Sequence, residues 1–269
     1  MTANERKTVL ITGASAGIGE ALAKEFARHQ FDCILVARRL DKLQTVADSL
    51  EQAYKIKARC LSMDLADPEA PERIFRQVQS WGIEVDALVN NAGFGLKTKF
   101  CESSWYEHQS EIQVMITALT HLCHLFMPGM KKKKWGRILN VSSLAVFSPP
   151  LVGNIYSATK CYVNAMSQAL DLEGKPHGVY CSALCPGFTY SEFHDAMGVR
   201  DEVNRLPTFM WMDSEQVAKL GYSQVMAGKP VLVTGKVNRL LATLMKFFPI
   251  SLMYRLGKSS DLMLEEQKT

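Results

Sequence analysis

Val9-Leu10-Ile11-Thr12-Gly13-Ala14-Ser15-Ala16-Gly17-Ile18-Gly19 reads as a short buried strand, a glycine-rich turn and the opening of a helix. The helix continues through Ala21, Leu22, Glu25 and Phe26 at helical spacing. Strand, glycine turn and helix in that order are what a pyrophosphate site needs. Gly13 permits the tight turn, Gly17 lets the backbone approach a phosphate, and Gly19 packs closely while helix-terminal N–H groups face the anion. Ser15, Ala16 and Ile18 complete the loop and are expected at the cofactor. Three residues separate the first two glycines, so the spacing differs from Gly-x-Gly-x-x-Gly.

The same alternation continues outward. Cys33 to Ala37 is a strand, Asp41 to Tyr54 a helix through Leu43, Val46, Ala47 and Leu50, and Ala58 to Met63 a strand ending at Asp64-Leu65. Pro68 opens a helix with Ile74, Phe75 and Val78 inward, and Ala87-Leu88-Val89 is the next strand. The rhythm predicts a mainly parallel sheet covered by helices on both faces, an α/β doubly wound Rossmann domain. At the end of the second strand an acidic residue would hold an adenosine 2′-hydroxyl, but here stand Ala37, Arg38 and Arg39, with Lys42 one turn into the helix. Cations at that corner favour the 2′-phosphate of NADP(H) over NAD(H).

A second stretch carries candidate chemistry. Ile138 to Val141 is a buried strand leading to Ser143, and Tyr156-Ser157-Ala158-Thr159-Lys160 opens a helix. Tyr156 and Lys160, four apart, share one helix face. A phenol titrates near pH ~10, and one ammonium at ~4 Å with an effective dielectric of ~20 contributes on the order of 4 kcal/mol toward its anion. Tyr156 is therefore expected to be acidic, with Ser143 holding a carbonyl oxygen while the phenol exchanges a proton with it.

Taken together, the glycine turn, Asn90-Asn91-Ala92-Gly93, Ser143, Tyr156 with Lys160, and Cys185-Pro186-Gly187 resemble the short-chain dehydrogenase/reductase superfamily over about residues 8 to 235. More narrowly, Ala37-Arg38-Arg39 and Leu184-Cys185-Pro186-Gly187-Phe188-Thr189 are similar to a bacterial branch labelled DltE-like. The resemblance implies seven parallel strands and a catalytic Ser143, Tyr156 and Lys160, the lysine also meeting the nicotinamide ribose. It implies cofactor contacts at Asn91 with its neighbours Ala92 and Gly93, at Asp64 and Leu65 near the adenine, and at Pro186, Gly187 and Thr189 beside the carboxamide. It also implies a homo-dimer or homo-tetramer. The catalytic asparagine common in this family falls at Met115, and a thioether cannot hold the relay water. Either the register is one turn out, or Gln113 or Thr117 substitutes, or the chain is an NADP(H)-binding scaffold without catalysis.

Phe188 to Met212 is irregular and rich in Phe193, Met197, Leu206, Phe209, Met210 and Trp211. It is expected to be a lid over an apolar carbonyl or alcohol substrate, with Phe147, Phe188 and Phe193 in contact. Residues 1–235 make the catalytic domain and 236–269 an apolar helical extension with a polar tail. Leu240, Leu241, Leu244, Phe247, Phe248 and Ile250 lie there among Lys236, Arg239 and Lys246. Three uses stay open for 236–257: a cap on the substrate mouth, a peripheral membrane contact, or a subunit interface.

The 269 residues carry a formal charge of +4, which argues against a nucleic-acid binder. No secretion signal precedes the first strand, so a cytoplasmic protein is expected. Seven cysteines lack metal or disulfide spacing and are expected as reduced thiols. Trp105 to Met127 is expected as one long helix whose His108, His121 and His124 bind no metal, and Lys131 to Lys134 as a solvated loop.

Overall fold

The computed structural model describes residues 6–149, 155–193 and 207–257. Met197, Leu206 and the tail from 258 to 269 lie outside them, as do residues 194–206 of the expected lid.

Strands β1 (Thr8–Thr12), β2 (Asp32–Ala37), β3 (Ala58–Ser62), β4 (Ala87–Asn90), β5 (Gly136–Val141) and β6 (Val179–Cys185) alternate with helices. The helices are α1 (Gly17–Arg28), α2 (Leu40–Tyr54), α3 (Ala70–Ser80), α4 (Trp105–Ile112), α5 (Leu119–Lys133) and α6 (Tyr156–Gly174). After a small pair, β7 (Phe188–Tyr190) and β8 (Trp211–Asp213), come α7 (Ser214–Met226), β9 (Val231–Val233) and α8 (Lys236–Met245). The main sheet has seven strands in the order β3-β2-β1-β4-β5-β6-β9. Its paired strands run parallel, Leu10 facing Ile34 on one side and Leu88 on the other. Chain order therefore reverses between β1 and β4, and the loops leaving those two strands diverge to open a crevice at their carboxyl ends.

Period-two alternation splits the strand residues between two cores. Val9, Ile11, Leu35 and Leu139 face α1, α2 and α7, joined by Leu22, Phe26, Leu43, Leu50 and Val217. Leu10, Ile34, Leu88 and Ile138 face the other side with Ile74, Met115, Leu122, Phe126 and Val163. Phe26 is fully buried and meets Phe31 and Tyr222 edge to face, at 5.2 and 5.0 Å between ring centres.

Several expectations are corrected. The run from Trp105 to Lys133 is not a uniform α-helix: Gln113–Ala118 form a π-helical segment between α4 and α5. Ser104 starts it with a full capping box to Glu107. Lys131 to Lys133 are the last turn of α5 rather than a loop, with Lys134 left-handed beyond it. Cations there suit the helix carboxyl end, and Lys131 pairs with Glu173 while Lys133 pairs with Glu84 and Asp86. Helix α3 begins at Ala70 with Pro71 in its first turn, not at Pro68. At α7, Asp213 occupies the N-cap position without a side-chain cap bond, and the Ser214 hydroxyl donates instead to Tyr190 O at 2.7 Å. The stretch 188–212 is less irregular than expected, because Phe188 to Tyr190 pair in parallel with Trp211 to Asp213. Trp211 then stacks on Tyr190 at 4.7 Å. All seven cysteines are free, with Cys101 and Cys161 exposed.

Phe26→Ala removes a buried ring that locks α1 to α7. It should lower unfolding stability by about 3–5 kcal/mol, read as a fall in the urea midpoint with an unchanged slope.

Candidate active site

The crevice is a cleft of about 970 Å³ running along the carboxyl ends of β1, β4, β5 and β6. Its floor is the turn after β1. Gly17 has φ +59°, and a Cβ there would come within 2.8 Å of Ser191; a Cβ on Gly19 would overlap the Gly13 carbonyl oxygen. No side chain caps the start of α1, so its first N–H groups are presented to the cleft, the arrangement that binds anions.

Asn91 clasps the two diverging loops. Its Nδ2 donates to Thr12 O and Gly13 O at 3.0 and 3.1 Å. Thr12 Oγ1 in turn accepts from the N–H groups of Asn91 and Ala92 at 3.0 and 3.1 Å. Ser15, Ala16, Ile18, Asp64, Leu65, Ala92 and Gly93 line the same cleft, as do Arg38 and Arg39. Gly19 and Lys42 do not line it. Gly19 is buried in α1, whereas Lys42 reaches the rim from α2. There Lys42 Nζ and Arg39 Nη2 donate to the two oxygens of Glu192 at 2.7 and 2.8 Å, and Arg39 also donates to Ser15 Oγ at 3.2 Å. Lys42 and Arg39 hold the Glu192 carboxyl below the usual carboxylate range.

At the other end, β5 delivers Ser143 and α6 delivers Tyr156, and both line the same cleft. Ser143 Oγ also accepts from Ala145 N at 3.1 Å, fixing its rotamer at the start of the 3₁₀ turn Leu144–Phe147. Lys160 is 4% exposed; its Nζ donates to Val141 O at 2.9 Å and lies 5.6 Å from the centre of the Tyr156 ring. Its own carbonyl accepts from Ser142 Oγ at 2.9 Å.

This geometry corrects the expected acidity. Burial pushes the Tyr156 phenol up to about 12; the Ser143 hydrogen bond opposes it, while Glu111 and Cys185 add to it. Burial also drives Lys160 down to about 8, against Cys185 and Glu111. Loss of solvation outweighs the attraction of an ammonium that sits over the ring and spends a proton on a backbone carbonyl.

Pro186, Gly187, Phe188, Thr189 and Phe193 line the cleft beyond β6, and Phe193 lies 5.7 Å from Tyr156 between ring centres. Phe147, expected at the substrate, is not among the lining residues; its ring lies 5.4 Å from the Lys246 ammonium just beyond α8. Met115 does sit at Lys160, so the register is not a turn out: its sulfur and Lys160 Nζ are 3.1 and 3.4 Å from where a Gly93 Cβ would be. Thr117 is exposed and points elsewhere. Sequence reasoning missed Glu111, which is fully buried beneath the site, and Glu192. Glu111 falls at a helical core position, and only that mismatch of a carboxylate with an apolar face hinted at it.

A model described as short chain dehydrogenase matches residues 7–200. The serine 3-dehydrogenase of Agrobacterium fabrum is 34% identical over 189 residues, 69% of this chain and 73% of the relative. The very-long-chain 3-oxoacyl-CoA reductase-A of Danio rerio is 29% identical over 260 residues, 93% of this chain and 77% of the relative. Among solved structures, a short-chain dehydrogenase from Sphingobium yanoikuyae in complex with NADPH superposes with a TM-score of 0.79 at 29% identity, covering 90% of this chain and 96% of that one. With a sheet, crevice and serine–tyrosine–lysine cluster of this kind behind the match, the chain belongs to the short chain dehydrogenase family.

Proposed function

We propose that this chain is an NADP(H)-dependent oxidoreductase that interconverts a ketone or aldehyde with the corresponding alcohol on an apolar substrate. The observation that carries the reading is the convergence of Ser143, Tyr156 and Lys160 in one cleft with an anion-binding turn. The NADPH-bound neighbour supports the cofactor. Two features of the cleft fit that cofactor: the uncapped N-terminus of α1 behind Gly17 suits a pyrophosphate, and Arg39 with Lys42 already clamps a carboxylate where a 2′-phosphate would lie. Asp64 and Leu65 would flank the adenine, Asn91, Ala92 and Gly93 the centre, and Pro186, Gly187 and Thr189 the carboxamide. Bound there, the dinucleotide supplies or accepts a hydride.

The chain's own groups handle the proton. Tyr156 Oη–H, kept protonated by burial, gives its proton to the carbonyl oxygen in reduction and takes it back in oxidation. Ser143 Oγ holds that oxygen, and Lys160 keeps a buried positive charge beside the phenol as it becomes an anion. Phe188 and Phe193 with Val114 and Leu144 give the substrate end an apolar wall, in keeping with a relative named for very-long-chain acyl substrates. Residues 1–235 serve as the catalytic unit, with Phe188 and Phe193 at the substrate end of the cleft. The extension 236–257 belongs to the same domain, because Asn238 Nδ2 donates to Thr234 O at 2.9 Å and packs against Gly187. The exposed Leu240, Leu244 and Phe247 fit a subunit contact in a homo-oligomer.

Met115 beside Lys160 favours one rival, a cofactor-binding scaffold without turnover. Following NADPH absorbance across a panel of medium-chain and long-chain ketones and aldehydes separates them: turnover of any member supports the enzyme, and tight NADPH binding with none supports the scaffold. Tyr156→Phe should lower kcat by roughly a hundredfold or more while the Kd for NADPH stays within about twofold. Wild-type rates in that variant would falsify the mechanism. Arg39→Ala should weaken NADPH roughly tenfold or more, from one lost charge-assisted hydrogen bond, and leave NADH unchanged. Glu192→Gln should tighten NADPH by a few-fold in the same calorimetric titration, because a competing anion has gone.

A further inference from the structure

The wall of the Lys160 pocket at Met115 is a thioether, which carries no proton and accepts weakly. One turn earlier on the same helix stands Glu111, 0% exposed. Neither of its carboxylate oxygens has a hydrogen-bond partner among the described residues. Buried polar groups are nearly always satisfied, so a carboxyl left this way beside a reactive cluster calls for an explanation other than packing. It stands one turn before Met115, which adjoins Lys160 at Gly93, and its charge acts on both Lys160 and Tyr156. On its own helix it faces His108, whose Nε2 lies 2.9 Å from Phe100 O and whose Nδ1 is likewise unpartnered. Phe100 is 54% exposed and stacks on the His108 ring, 4.6 Å between centres. Glu111 and His108 are thus groups able to carry protons on the helix that passes Lys160 at Met115 and runs back to the exposed Phe100.

Resting on the reading of Tyr156 as acid and base, we propose that Glu111 is the group that exchanges protons with Lys160, through an intervening water, with His108 as its outlet to solvent at Phe100. In the reducing direction the Tyr156 Oη–H bond breaks as the product hydroxyl forms. An N–H proton of Lys160 refills the phenolate, the Glu111 O–H proton refills the amine, and the carboxylate regains its proton from His108 or surface water. One solvent proton is consumed per turnover, and oxidation runs the same chain backwards. Glu111 is a positioning residue in this scheme, since it acts through Lys160.

The titrations of the two groups fit that exchange. Burial raises Glu111 to about 7 against the pull of His108 and Lys160, and burial lowers Lys160 to about 8 against Cys185 and Glu111. The acid shifted up and the amine shifted down are brought toward each other, which eases passage of a proton between them. Folding raises the Glu111 pKa, so its contribution to stability is full below the ordinary carboxylate value and is lost as pH rises through about 7. Glu111→Gln should therefore be at least as stable as the parent in mildly alkaline buffer, which separates loss of proton exchange from loss of fold.

The test pairs Glu111→Gln with Glu111→Asp. In the protein without added ligand, nitrogen NMR of labelled lysine should show the Lys160 titration moving down in Glu111→Gln. The same variant should lose an infrared carboxylic acid band that titrates near the Glu111 value of about 7. With NADPH and the fastest ketone of the panel, kcat should fall roughly tenfold or more with KM within about twofold. The pH profile should lose its limb near neutrality, and Glu111→Asp should restore most of both. An unchanged Lys160 titration and pH profile in Glu111→Gln overturns the proposal, as does an equal, pH-independent loss in both variants. If no ketone is turned over, the oxidoreductase reading has failed by itself, and the Lys160 titration still decides whether the two groups share protons.

Discussion

The structure depends on how the divergence between β1 and β4 is held closed. Loops leaving a parallel sheet in opposite directions expose backbone groups that no strand can satisfy, and a crevice forms only if something ties them. Asn91 is that tie: one amide meets two carbonyls of the glycine turn, while Thr12 returns two bonds to the loop after β4. Gly13 and Gly19 are small because the Asn91 tie, with Ala92 at the first and the Gly13 carbonyl at the second, occupies the space where side chains would be. The anion-binding end of α1 is thereby fixed against the strand ends that present Ser143 and Tyr156. Binding and chemistry share one rigid frame.

Within that frame the electrostatics are set by burial rather than by pairing. For Lys160, Tyr156, Glu111 and Cys185 alike, burial is the largest cause of the shift. All move toward their neutral forms: the acids up, the amine down. A site of this kind keeps its phenol protonated while its lysine, though lowered, still carries its charge at neutral pH. The tyrosine is then a proton donor by default, and the positive charge beside it becomes most valuable when the phenol ionises. At the rim the logic reverses. Arg39, Lys42 and Glu192 are partly solvated and pair directly.

Much of this was legible from residue order. The central strands β1, β2, β4 and β5 were readable as apolar runs, because buried parallel strands have no polar face to blur the pattern. Motif spacing also located the glycine turn, the cationic corner at Arg38 and Arg39, and the Ser143–Tyr156–Lys160 cluster. Two kinds of feature were not legible. One was local geometry decided by cooperation along the helix: the π-segment at Gln113–Ala118 and the helical Lys131–Lys133 have compositions that suit other conformations equally well. The other was contact across the chain. Glu192 meets Arg39 from 153 positions away, and Phe147 turns from the cleft toward Lys246.

The sequence by itself determined the doubly wound sheet, the glycine turn and the candidate set of Ser143, Tyr156 and Lys160, since each is read from periodicity or motif spacing that survives in any packing. Only the tertiary structure decided the protonation of that set and the company it keeps. Whether Tyr156 is acidic depends on how much water burial removes and on which carbonyl claims the lysine proton. Whether Glu111 matters depends on its standing unpaired beneath that lysine. Solvation and long-range proximity are properties of the folded surface, and no short stretch of residues encodes them.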